Sequence, residues 1–135
     1  MKIRNVIIGS ALAVGMVLGG AVAANATPEN GGVEVGEVGF YFSPNYANAV
    51  WDWNTTTGTF WAGDSFLFPF KFKGSGVGVG SVVRNNAASA WNRGGSTGRV
   101  YYSPSYAGVS QSIAQDAAVN LNDSLRNNNA SWRWV

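Results

Sequence analysis

Two short runs carry the side chains best suited to chemistry: Asn85-Asn86-Ala87-Ala88-Ser89 and Asn127-Asn128-Asn129-Ala130-Ser131. Both put two amides and a hydroxyl within five positions. Calcium accepts such neutral oxygens, together with backbone carbonyls, as part of a shell of six to eight. The same residues serve equally well as turn formers, because Asn and Ser side chains bond to nearby backbone. With no carboxylate in either run, the metal reading predicts weakly bound calcium or no cofactor at all. Asn85, Asn86, Ser89, Asn127, Asn128 and Ser131 are the candidate ligands.

Other chemistries are narrowed by composition. The chain has no His and no Cys, which removes the usual nucleophile–base pairs and most transition-metal sites. Paired carboxylates could support glycoside hydrolysis, with Glu34 and Glu37 or Asp116 and Asp123 as the available pairs. The first pair sits in a Gly-rich stretch, and the second among Gln, Asn and Ser as solvated loop acids do. No catalytic residue is assigned, and the chain reads as a non-enzyme.

The amino terminus reads as an export signal. Lys2 and Arg4 precede an apolar stretch from Val6 to about Ala23, and Ala24-Asn25-Ala26 supplies the small-x-small pattern of signal peptidase. Cleavage is expected after Ala26, leaving no membrane segment. Residues 27–135 are one domain by size. Lys71, Lys73, Arg84, Arg93, Arg99, Arg126 and Arg133 then balance the seven Asp and Glu. Net neutrality argues against nucleic acid as a partner.

The elements that must position these residues read as strands. Aromatic and β-branched runs alternate with Gly, Asn, Ser and Pro. The expected strands are 39–43, 49–53, 65–72, 77–83, 88–92, 98–103, 109–113 and 131–135. Ile113, Ala117 and Leu121 are spaced by four and leave a short helix open, although a strand and loop fit the repeat better. Residues 27–37, rich in Gly and Glu, are expected as a flexible arm.

The strands fall into two repeats. Phe40-Tyr41-Phe42-Ser43-Pro44-Asn45-Tyr46-Ala47-Asn48 is matched by Val100-Tyr101-Tyr102-Ser103-Pro104-Ser105-Tyr106-Ala107-Gly108, and each is followed by one Asn-Asn run. Repetition of an ordered pair implies two copies of one supersecondary unit, here residues 38–93 and 97–135 of a single domain, 38–135. Tyr41 lies 44 positions before Asn85 and Tyr101 lies 26 before Asn127. The first copy therefore holds about 18 extra residues, placed within 51–80.

Tyr101, Tyr106 and Gly108, with Tyr41, Tyr46 and Asn48, resemble the opening of the βγ-crystallin Greek-key motif. Asn at position 48 is tolerable because, after Gly, it adopts a positive φ most readily. The Asn-Asn-x-x-Ser runs are similar to the calcium motif of microbial members. The resemblance implies an all-β fold of two βγ-crystallin-type Greek-key units packed as a small β-sandwich. The layout looks most like the bacterial crystallin-like secreted peptidase inhibitors, whose founding targets are metalloproteases.

That resemblance implies a secreted, extracellular, non-catalytic monomer with a secreted protease as partner. The extra segment suggests a contact loop at 54–64, with Thr55, Thr57, Thr59 and Trp61 facing the protease. Two other readings stay open. One is a calcium-stabilised structural or envelope module. The other is a cell-wall or glycan binder using Trp51 with Trp53 or Trp132 with Trp134, which point alike on a strand and serve equally well as core.

Overall fold

The strands form where aromatic and β-branched residues alternate, and they end where Asn, Ser and Gly turn the chain. The computed structural model describes residues 27–54 and 70–135. The expected signal peptide and the four proposed contact residues, Thr55, Thr57, Thr59 and Trp61, lie outside the described residues.

Seven strands appear there: β1 (Glu37–Tyr41), β2 (Val50–Asn54), β3 (Ser89–Asn92), β4 (Gly98–Ser103), β5 (Ala107–Ile113), β6 (Ala118–Asn120) and β7 (Ser131–Trp134). They build two antiparallel sheets, ordered β2-β1-β3-β6 and β5-β4-β7. The protein is all-β, with no helix among the described residues. The spacing of Ile113, Ala117 and Leu121 resolves as the end of β5, a turn, β6 and the residue after it.

The same plan occurs twice. The first strand of each repeat, β1 or β4, lies between the second and the last, as β2-β1-β3 and β5-β4-β7. Strand β6 belongs to the second repeat in sequence but pairs with β3 of the first, Ala90 opposite Val119. One strand of the second repeat therefore joins the first sheet, and the two sheets share one core.

Side chains alternate as a half-buried strand requires. Val38 and Phe40 of β1 and Val100 of β4 enter the core, together with Trp51, Phe72, Val83, Ile113, Leu121, Leu125 and Trp132. Phe40 meets Trp132 edge-to-face at 5.2 Å, joining the first sheet to the second. Such aromatic pairs add about 0.5–1.5 kcal/mol beyond the area they bury. Trp51 and Trp132 are fully buried, and Trp53 and Trp134 pack on the same core. Both tryptophan pairs are structural here, and neither forms an open stacking platform.

One expected strand is absent. Residues 77–83 make only an isolated bridge, Lys71 to Val82, and a second bridge joins Val50 to Lys73. The glycines explain it. Gly76 and Gly78 have φ of 88° and 95°, and a Cβ on them would strike Asn48 and the Phe42 ring. The segment folds tightly over the first repeat, with Val83 N–H bonded to the Phe70 carbonyl and Phe72 N–H to Ser81.

Candidate functional site

Each repeat contains a folded-over turn closed by a serine. In the first, Asn45, Tyr46 and Asn48 have φ of 58°, 57° and 67°; in the second, Ser105, Tyr106 and Gly108 have 55°, 59° and 81°. The Ser89 hydroxyl accepts the Tyr46 N–H at 3.1 Å and donates to the Ser43 carbonyl at 2.7 Å. Ser131 does the same with Tyr106 and Ser103, at the same two distances. Tyr41 meets Tyr46 at 6.1 Å, and Tyr101 meets Tyr106 at 5.7 Å. Asn48 does more than replace a glycine: its Nδ2 donates to Ser43 Oγ and its Oδ1 accepts the Val77 N–H, tethering the Gly-rich segment.

The Asn-Asn runs face one another across the domain. Asn85 N–H donates to the Asn129 carbonyl at 2.8 Å, and Asn127 N–H donates to the Ala87 carbonyl at 2.9 Å. Position one of each run thus bonds to position three of the other. Asn85 and Asn127 are both left-handed, at 61° and 57°, which Asn tolerates better than most residues. Asn86 donates to the Val82 and Arg84 carbonyls, and Asn128 to Arg126.

Each serine hydroxyl accepts one hydrogen bond and donates another, and the Asn86 Nδ2 is committed to two carbonyls. The oxygens left over in these runs (amide, hydroxyl and backbone) are all neutral. Among the described residues no three or more acids lie grouped so as to hold a metal ion. Asp116 and Asp123 are exposed turn residues.

Titratable chemistry gathers instead where residues 27–36 cross the first sheet. The stretch expected as a flexible arm is bonded along its length. Asp52, buried on β2, accepts the Asn30 and Gly31 N–H groups at 3.1 and 2.8 Å, and Glu29 accepts the Trp51 indole N–H. Gly36 N–H donates to the Arg93 carbonyl, while the Arg93 guanidinium donates to the Val33 carbonyl. Val33 lies over Gly39 so closely that a Cβ there would come within 2.2 Å of it.

Beneath this strap, Glu37 is fully buried. Its Oε2 accepts the Glu34 N–H at 2.8 Å, while its Oε1 has no hydrogen-bond partner. Burial raises its pKa to about 7, opposed by the Glu34 N–H and reinforced by the Asp52 charge. Burial also raises Asp52, against the pull of the Gly31 and Asn30 N–H groups. Glu34 moves the other way, chiefly because the Asn30 side chain donates to it at 2.8 Å. Glu34 and Glu37, a pair visible in the sequence, do come together, but as an anchor for the strap. Asp52 and Arg93 give no sequence signal, since their partners lie 21 and 60 positions away.

On β2, the rings of Trp51 and Trp53 meet Phe70. Phe70 packs on Trp51 at 5.1 Å and on Trp53 at 5.8 Å, and the two indoles stack at 5.8 Å. The chain contains no cysteine, so no disulfide braces these rings. No curated protein and no solved structure matches the sequence. The profile of peptidase inhibitor family I36 matches residues 36–113, from the strap's last residue to the end of β5. That span is more than half of the chain, and the protein belongs to peptidase inhibitor family I36.

Proposed function

We propose that the protein is a secreted, monomeric, non-catalytic inhibitor that blocks an extracellular peptidase through residues 54–64. Family membership supports the inhibitor role. The observation that favours this segment is the aromatic clamp: β2 ends at Asn54, and Phe70, on the far side of the segment, packs against both Trp51 and Trp53. Fixing both ends reduces the ordering entropy that a contact segment must lose on binding. The repeated sheet order, with β6 passing to the first sheet, supports reading the two repeats as βγ-type Greek keys. Titration against secreted metallo- and serine peptidases tests the function. Dose-dependent inhibition of at least one is expected, and inactivity across a broad panel of both classes overturns it.

A second reading, a calcium-stabilised module, is favoured only by the duplicated Asn-Asn-x-x-Ser runs. Their hydrogen bonding suits latches, with calcium at most a weak ligand. Calorimetry at about 1 mM calcium, the range of weak extracellular sites, separates the two. Heat and a higher melting temperature support the metal, and neither is expected.

A further inference from the structure

Among the described residues, the outer edges of the two sheets are protected unequally. Along β2, Val50 bridges to Lys73 and the Asp52 carbonyl accepts the Glu29 N–H at 3.0 Å, so the chain itself covers that side. Strand β6 has three residues, and β7 carries an exposed Arg133. Covering, short strands and charges are the usual protections of a sheet edge. Strand β5 has none of them. Its sequence, Ala107-Gly108-Val109-Ser110-Gln111-Ser112-Ile113, holds no charge and no proline. It pairs with β4 alone, in regular register over residues 110–113, and Val109 is 57% exposed. Among the described residues, none outside β4 exchanges a backbone hydrogen bond with residues 109–112. Alternate residues of such a strand turn their N–H and C=O away from the neighbour, so this edge presents free donors and acceptors. Gln111 holds it in place, its side chain bonding to the Asn120 carbonyl and the Asn122 N–H.

The sheet face beside that edge is basic. Arg99 on β4 stands directly opposite Arg133 on β7, and its guanidinium reaches over β5 to donate from Nε to Ser112 Oγ at 3.1 Å. Arg133 lies over the Tyr101 and Tyr106 rings and donates from Nε to the Tyr101 hydroxyl at 3.0 Å. Both contacts are to neutral hydroxyls, and among the described residues neither guanidinium has a carboxylate partner. Like charges directly opposite one another across a sheet are destabilising. The pair therefore suits an arriving carboxylate, which the planar guanidinium fork matches.

We propose that the outer edge of β5 accepts an extended segment of a partner protein as an added strand, with an acidic side chain of that segment beside Ser112 meeting Arg99. Main-chain hydrogen bonds supply the affinity, and the acid supplies the selection. A second copy of this chain is the poorer occupant: β5 has no acid to offer, so two copies joined edge to edge leave the arginines uncountered. The inference does not depend on residues 54–64 or on which peptidase is inhibited, and its test reads binding rather than inhibition.

The probe is a blocked peptide of alternating Val and Glu, titrated into the protein and followed by backbone NMR. Shift changes should concentrate at residues 109–112, and the outward amides there should exchange more slowly with peptide bound. The same peptide with Lys in place of Glu, or with every amide N-methylated, should bind about tenfold more weakly or worse. Arg99→Gln should weaken the Glu peptide about twofold to fivefold, the range of an exposed ion pair. The peptide series uses the unaltered protein and stands whatever the variant does. No shift at 109–112 with millimolar peptide, equal binding of the Lys or N-methylated peptide, or sedimentation showing that the protein dimerises through β5 on its own overturns the proposal.

Discussion

Asn85 and Asn129 join the two repeats: the Asn85 N–H donates to the Asn129 carbonyl at 2.8 Å, and Asn127 returns the bond to Ala87 at 2.9 Å. The Asn129 side chain extends this link. Fully buried, it donates from Nδ2 to the Ala87 and Leu125 carbonyls, both at 2.8 Å. Asn129→Asp would place a carboxylate against two carbonyl oxygens in the interior. Losing one side of a buried polar pair costs about 1–3 kcal/mol, and more for a charge. Urea unfolding should show a loss of at least about 3 kcal/mol, whereas Asn128→Asp, exposed, should change stability by less than about 0.5 kcal/mol. Equal effects of the two changes would remove the inter-repeat link as a stabilising feature.

Ser89 and Ser131 each bridge a strand to a folded-over turn, with the same two distances in both repeats. Removing either hydroxyl leaves a backbone N–H and a carbonyl without their bridging partner. Ser89→Ala and Ser131→Ala should each lower unfolding free energy by about 1–3 kcal/mol. The two bridges share no partner, so the double variant should be additive within about 0.5 kcal/mol. A calorimetric series showing no loss for either serine would contradict the latch assignment.

How much of this could be read in the sequence follows from the range of each interaction. The turns were legible because Tyr41 to Tyr46 and Tyr101 to Tyr106 are local and repeated, and a left-handed Asn48 or Gly108 has a recognisable residue type. The strand expected at 77–83 failed because its valines alternate well, yet the glycines between them set the backbone path. The docking of 27–36 was invisible for another reason. Its Gly and Glu content signals flexibility, but its bonds run to Asp52 and Arg93 on distant strands. The crossing of β6 to the first sheet has no local signal either, since Ala118-Val119-Asn120 is too short to announce a strand.

The buried Glu37 should make stability fall as pH rises. Its pKa is raised from 4.5 to about 7 by burial, so the folded state holds the proton more tightly than the unfolded chain. The advantage is complete below about pH 4.5 and is lost as pH climbs through about 7. A shift of this size corresponds to a change on the order of 2–3 kcal/mol across that window. Asp52, also raised, acts in the same sense. Glu34, lowered, opposes it by losing its contribution as pH falls below the ordinary carboxylate range. Unfolding measured between pH 5 and 8 should therefore show decreasing stability, and Glu37→Gln should flatten the slope. A wild-type profile that rises across this interval would contradict the assignment of a protonated Glu37.

The aromatic clamp makes the proposed contact segment, residues 54–64, separable in experiment from the general stability of the fold. Phe70 touches Trp51 and Trp53, whereas Phe42 packs on Phe72 at 5.6 Å beneath the Gly-rich segment. Both phenylalanines are half-buried and lean on the same core. Truncating either to Ala should cost comparable stability, roughly 2–4 kcal/mol for a partly buried ring. Their effects on inhibition should differ. Phe70→Ala releases one end of the contact segment, and the ordering cost then falls on binding, weakening inhibition tenfold or more, about 1.4 kcal/mol. Phe42→Ala leaves that end in place and should keep inhibition within about threefold of wild type at temperatures where both variants are folded. Inhibition constants against the most sensitive peptidase of the panel decide it. Equal weakening by both changes would mean that the clamp serves the fold alone, and the contact surface would have to be sought elsewhere in 36–113.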